Sequence, residues 1–564
     1  MTTTPSAGVR PGALPDVETL HGRRATDRVN RLVMGDLLER LTWSVPDKTA
    51  IIGRPGAYGS DRFAKMTYRE ADEAANQVAH ALQAAGLERS ARVALLCDNS
   101  VEAVITMFGI AKAGLVCVPL NPLFHHSVTA QLLRKVDASY AIVDAELWAS
   151  AAPAFDEVGL RPSVTIAVGG STVEGTIEFS DWLAGHATSA PEVDLPLHGD
   201  DIWMMLFTSG TTSAPKACMF SHTYCYLAAL GFKGTVTRGL RYEEELRLST
   251  HVPVIYHCGH NASIFPAFLA GGTSILGRRF DPLTVAQAVT EERATALWGG
   301  APRFLEAAVA VAEQHPEVDL GSLTVGLFAW TAMTPEVADR LRRAAGPQLD
   351  LVEAFGQTEA ISCYRFWLGQ HPEKVVSSAG TVNHVGVPTP LLAAALLDPD
   401  GNPVREVGMP GEAAYRSPIV TAGYFRDPEA TAWAFRGDWF HSGDSCQYEP
   451  DGSQTMVDRY KDIIKSGGEN VASIRVESVA AAHPGVERAA AVGMQDDRWG
   501  EKVTIFVVRS PGSQVTAEEL MAWCRERLAG FESPKEVQFV DSFPETVGGK
   551  ILKYRLRQQA GPNS

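Results

Sequence analysis

The chain predicts an α/β fold, with a large N-terminal body of parallel sheets and helical crossovers and a small α+β C-terminal unit. Three observations carry this. The 564 residues exceed what one hydrophobic core usually serves, so at least two domains are expected. Strand-like runs alternate with helical periodicity over residues 69–143, the mark of parallel strands joined by crossovers. After Lys465 the pattern changes to short elements of both kinds.

In order, Ala71, Ala74, Ala75, Val78, Leu82 and Ala85 recur at three- and four-residue spacing from about Arg69, and Gly86 ends that helix. A strand over 91–97, a helix over Val101–Lys112, a short apolar run over 115–119 and a strand over 140–143 follow. Ile202–Phe207 is a further apolar strand. Beyond Lys465 the sequence predicts a helix over 473–482, strands over 489–492 and 503–508, a helix over 517–528 and a strand near 537–540. Few apolar contacts can cross the charged run Asp458-Arg-Tyr-Lys-Asp462, which marks the boundary. The expected division is a flexible tail over 1–28, a body over 29–460 and a C-terminal domain over 461–564.

Hydrophobic residues at 45% and charged residues at 21% are ordinary for a soluble globular protein. Lys plus Arg number 50 against 66 Asp plus Glu, a formal charge of -16. That surface repels phosphate backbones and argues against a nucleic-acid partner, although a small phosphorylated ligand can still sit in a locally basic cleft. The eight cysteines form no C-x-x-C pair and read as reduced, mostly buried thiols. The first 24 residues lack the apolar core of a signal peptide. The most apolar stretch, Val101 to Leu123, carries Glu102 and Lys112 and is cut by Gly114 and two prolines, so no membrane span is expected. A cytoplasmic protein is the expectation. Its oligomeric state is left open, a homodimer among the options.

The strand Ile202–Phe207 runs into Thr208-Ser-Gly-Thr-Thr-Ser-Ala-Pro-Lys216. Hydroxyls, glycine amides and a lysine suit a polyphosphate, although the spacing is not that of a P-loop. Four more segments follow in order: Glu353-Ala-Phe-Gly-Gln-Thr-Glu359, Trp439-Phe-His-Ser-Gly-Asp444, Asp458 through Asn470, and Gly548-Gly-Lys550-Ile-Leu-Lys553. The ordered set resembles the adenylate-forming (ANL) superfamily over roughly residues 30–560, nearest its acyl-CoA ligase branch, which includes carnitine/crotonobetaine ligases.

That resemblance implies an ATP- and Mg²⁺-dependent ligase that converts a carboxylic acid to an acyl-adenylate and then to a CoA thioester. It implies that Thr208, Ser209, Gly210, Thr211, Thr212 and Lys216 wrap the phosphates, with Gly356 beside the nucleotide. Glu359 would hold Mg²⁺ and Thr358 would meet the α-phosphate. Asp444 would take the ribose hydroxyls, helped by Arg459. Lys550 would stabilise charge during adenylation, and Lys465 would face the site in the second half-reaction. Lys461 falls at the hinge of a C-terminal lid with two orientations, Gly467 and Gly468 fall on the acceptor side, and Lys553 reads as structural.

Departures from the family bear on the substrate. Ala329-Trp-Thr-Ala-Met333 stands where the family has a glycine-rich run, so Trp330 puts a ring into the acyl wall, with Trp298, Phe328 and Tyr364 as further aromatic candidates. Tyr256 and His257 occupy the altered Pro253-Val-Ile-Tyr-His-Cys-Gly259 motif. His257, Cys258 and His260 lack a known zinc spacing. A small or aromatic acid is therefore expected. Glu532 and Glu545 reverse charges that CoA ligases commonly carry, and two readings stay open: solvated surface charges, or a sign of a non-CoA acceptor. That second reading covers an amide synthetase or an ATP-dependent diazotase using nitrite and an aromatic amine. No carrier segment is seen for a peptide synthetase, and intact Lys550, Glu359 and Asp444 argue against a non-catalytic scaffold.

Overall fold

The computed structural model describes residues 28, 30–194, 196–208, 215–378, 382–460, 462–467, 469–496, 498–545 and 551–559. The body holds a seven-stranded and a fourteen-stranded sheet, and a five-stranded sheet lies in the C-terminal unit. In the seven-stranded sheet the strands Ala138–Asp144, Arg92–Leu96, Val116–Leu120 and Ile202–Phe207 are successive parallel neighbours, and Ala217–Ser221 pairs antiparallel at the edge. The long sheet is parallel from Thr49–Gly53 across to Asp350–Gln357 and antiparallel beyond it. The expectation of parallel sheets thus holds for one part of the body. From Ala360 onward the chain returns by hairpins, whose tight turns allow only antiparallel pairing.

Local sequence explains the first helices. Thr67 and Glu70 form a reciprocal capping box that starts Tyr68–Ala84. Ser100 caps Val101–Lys112 through the Ala103 amide at 3.1 Å. All twelve residues of the latter helix are buried, which accounts for its apolar run as a core helix. Lys112 is neutralised by Asp72 at 2.8 Å. The two helices approach closely at Gly109, where a Cβ would stand 2.3 Å from the Val78 side chain. Among the described residues no helix is long and apolar enough to cross a membrane.

Glu102 gives this core a pH dependence. Its Oε1 accepts from the Gly59 and Ser60 amides at 2.7 and 3.3 Å, and Oε2 is buried with no partner among the described residues. Burial pushes the carboxyl up from 4.5 to about 7. Between those values the unfolded chain releases a proton that the folded chain keeps, so stability falls as pH rises through this window. In urea denaturation, Glu102→Gln should therefore gain on the wild type by about 3 kcal/mol between acidic and neutral pH. A difference that stays flat with pH would refute this.

The C-terminal unit follows the predicted order: helix Ser473–Ala481, strands Val486–Asp496 and Gly500–Arg509, helix Ala517–Arg525 and strand Glu536–Phe539. Both ends of the charged run 458–462 make polar contacts. Asp458 accepts from the Ser473 amide, and Arg557 donates to Asp462 at 2.9 Å. Seven cysteines are buried, Cys258 is half-buried, and all eight are free thiols.

Candidate active site

A cavity of about 560 Å³ opens where the two body sheets and the C-terminal unit meet. Strand Ile202–Phe207 delivers Thr208 to its wall, and the returning strand delivers Lys216. The loop base is closed by Thr208 N–H to the Lys216 carbonyl at 3.0 Å and Lys216 N–H to Thr208 Oγ1 at 3.1 Å. Ser209, Gly210, Thr211 and Thr212 lie outside the described residues.

Strands Asp350–Gln357 and Ala360–Trp367 form a hairpin whose turn is Thr358-Glu359, so both side chains stand at the cavity wall because the turn is tight. Gly356 allows this closeness, since a Cβ there would lie 2.3 Å from the Ile361 carbonyl oxygen. The Tyr424 hydroxyl donates to Glu359 Oε1 at 2.9 Å, and the Lys216 ammonium rests 4.5 Å from the Tyr424 ring centroid. Tyr424 thereby sets the lysine and the carboxylate on neighbouring ground. Sequence reasoning missed it, because a lone tyrosine after an apolar run carries no signal.

Asp444 is buried on strand Phe440–Tyr448, opposite Arg459 in register, with Arg459 Nε 3.2 Å from its carboxylate. Glu412 fixes the approach to it, accepting from the Gly443 amide at 3.1 Å and from His441 Nδ1 at 2.7 Å. Arg459 and Gly443 line the cavity directly, whereas Asp444 lies just behind them.

The cavity is lined in part by aromatic side chains. Trp298 and Trp330 line it with ring centroids 6.0 Å apart, and Tyr256 and His257 join them. Trp330 has φ +74°, a left-handed conformation that a bulky residue rarely takes. The backbone here has a glycine's shape and carries an indole. Phe328 and Tyr364, expected in the same wall, are fully buried in the core instead. Strand alternation turns them away from the cavity.

His257 sits at the start of a distorted helix that passes into a π-turn over His260–Ile264. Its Nδ1 lies 2.9 Å from the Thr358 carbonyl, which can only accept, so the proton sits on Nδ1. Burial holds the ring well below the usual histidine range and leaves Nε2 a bare acceptor with no partner among the described residues. Among the described residues no group of three or more His, Cys, Asp or Glu side chains could hold a metal by itself. Glu353 was also missed as a candidate. It lines the cavity, and burial pushes its carboxyl far up; its signal was an acid inside an otherwise apolar strand.

From the C-terminal unit, Glu545, Leu552, Tyr554 and Arg555 reach the same cavity. Lys550, Lys461 and Gly468 lie outside the described residues. Lys465 is exposed on strand Ile464–Ser466 and Gly467 packs near Trp499, both away from the cavity wall. Lys553 is held within the unit by Glu477 at 2.7 Å. Glu532 pairs with Arg475 at 3.0 Å and accepts from the Ala529 amide, and it does not line the cavity.

Cations, hydroxyls and aromatic carbon in one cavity suit an enzyme that joins a nucleotide to a small organic acid, the class that fold and site together define. The chain belongs to the adenylate-forming AMP-binding enzymes, in their acyl-CoA ligase branch: it matches the AMP-binding enzyme family over residues 40–425 and the AMP-binding enzyme C-terminal domain over 475–550. A feruloyl-CoA synthase of Amycolatopsis sp is 34% identical over 516 residues, covering 88% of this chain and 94% of that one. The long-chain-fatty-acid–CoA ligase FadD13 of Mycobacterium tuberculosis is 30% identical over 530 residues, covering 93% and 99%. The structure of the amide bond synthetase McbA from Marinactinospora thermotolerans matches with a TM-score of 0.78 at 26% identity, covering 94% of this chain and all of that one.

Proposed function

We propose that this cytoplasmic enzyme activates a small or aromatic carboxylic acid with ATP and transfers the acyl group to CoA, using residues 29–460 as the body and 461–564 as a lid. One observation supports this above the others: a single cavity of about 560 Å³ is lined both by Thr208, Lys216 and Glu359 and by the Trp298–Trp330 pair. The acid lies along the indoles with its carboxylate toward Thr358. One carboxylate oxygen attacks the α-phosphorus, pyrophosphate leaves toward Lys216, and Asp444 with Arg459 holds the ribose. The CoA thiolate then attacks the acyl carbon and releases AMP.

Glu359 fits a Mg²⁺ ion, since a carboxylate beside a phosphate site supplies one oxygen ligand and leaves the other positions to phosphate oxygens and water. When bound, the ion offsets the phosphate charge. His257, neutral and fixed on the Thr358 carbonyl, orients the turn that presents Thr358 and Glu359.

The test is mass spectrometry of products from ATP, Mg²⁺ and a panel of aryl and short-chain acids, with CoA alone and with added amines or nitrite. AMP together with a CoA thioester is the expected result. The likeness to an amide bond synthetase favours a second reading, and AMP with an amide or diazo product and no thioester would establish it in place of the first.

A further inference from the structure

Glu545 is tied into ion pairs on both sides. Its Oε2 accepts from Arg303 Nη2 of the body at 3.0 Å, and its Oε1 accepts from Arg488 of the C-terminal unit. The carboxylate is largely covered, with 17% of the side chain exposed, so both oxygens are committed. Arg488 lies 5.1 Å from the Phe543 ring centroid, which fixes it within its own unit. Arg303 stands in the first turn of helix Pro302–Gln314, where the helix dipole disfavours a cation and favours an approaching carboxylate. The arrangement is asymmetric: Arg488 pre-orders Glu545, and Glu545 then reaches across to the body.

The backbone around Glu545 is equally tied. Glu545 forms a β-bridge with Ile551, and the Leu552 amide donates to the Pro544 carbonyl at 2.8 Å. Glu545 and Leu552 both line the cavity. Whatever holds Glu545 to Arg303 therefore holds this edge of the C-terminal unit over the cavity.

We propose that the Arg303–Glu545–Arg488 triad is a latch that holds the C-terminal unit on the body in the orientation that forms the adenylate, with Glu545 as the positioning residue. This rests on the adenylation reading above. The latch acts on one half-reaction, because only the step that needs this edge over the cavity gains from it.

The experiment compares wild type with Glu545→Gln, Arg303→Gln and the double variant, all in the full chain. Three quantities are read: acid-dependent ATP–pyrophosphate exchange, conversion of a supplied acyl-adenylate and CoA to thioester, and hydrogen exchange of the peptide spanning Phe543 to Leu552. Each single variant should lower ATP–pyrophosphate exchange by about tenfold, with the double variant no worse than a single one. Thioester formation from the supplied adenylate should stay within about twofold, and amide protection of the peptide should fall. Equal losses in both half-reactions, additive losses, or unchanged protection would overturn the latch. If wild type shows no exchange with any acid of the panel, the adenylation reading falls, and the hydrogen-exchange arm alone then decides whether Arg303 and Glu545 hold the units together.

Discussion

Lys550→Ala is expected to lower adenylate formation by about two to three orders of magnitude while leaving ATP binding within a fewfold. The expectation rests on the Gly-Lys pair of the last motif, and on the described residues Glu545 and Leu552, which line the cavity on either side of it in sequence. As the carboxylate attacks the α-phosphorus, negative charge gathers on the entering and leaving oxygens. A cation placed there counts mainly in the transition state, so its loss appears in kcat more than in affinity. Thr208, Lys216, Asp444 and Arg459 would still hold the nucleotide. ATP–pyrophosphate exchange together with equilibrium binding of a non-hydrolysable ATP analogue separates the two effects. Undiminished exchange would remove Lys550 from the chemistry.

Trp330→Gly should change which acids are used rather than whether adenylation occurs. The φ of +74° costs a non-glycine residue about 1 kcal/mol or more, which glycine would recover. Against this stands the lost packing on Trp298, 6.0 Å away, so the net change in stability should be small. The pocket, in contrast, loses an entire indole from its wall. Medium-chain acids should gain about tenfold or more in kcat/KM, while small aryl acids lose the surface that orients them and fall several-fold. Competition between benzoate-like and medium-chain acids in one reaction gives the ratio directly. An unchanged ratio would mean that the substrate does not reach Trp330.

The order of elements was legible because strong local signals marked it. The helix Tyr68–Ala84, the largely apolar helix Val101–Lys112 and the strand Ile202–Phe207 appear where the sequence pattern placed them. The antiparallel half of the long sheet was not legible, since pairing direction beyond Ala360 depends on strands far apart in sequence. The same distinction applies to the site. Thr208, Lys216, Gly356, Thr358, Glu359 and Arg459 could be named from ordered motifs, and the fold brings them to one cavity. Tyr424 and Glu412 could not, because each is an ordinary residue until a distant partner gives it a task.

Glu532 and Glu545 show most plainly where sequence stops. Both read as charge reversals on a lid. In the structure, one is tied to Arg475 inside its own unit and the other joins Arg488, 57 positions away, to Arg303, 242 positions away. By itself, the sequence determined the two-part α/β architecture, the adenylate-forming family and the motif residues, because periodicity and motif spacing are local properties. Only the tertiary structure decided that Phe328 and Tyr364 face the core, that Trp330 occupies a glycine's backbone shape in the cavity wall, and which arginines hold Glu545. Side-chain direction and ion pairing depend on what the folded chain brings within a few ångströms, and linear order does not encode that distance.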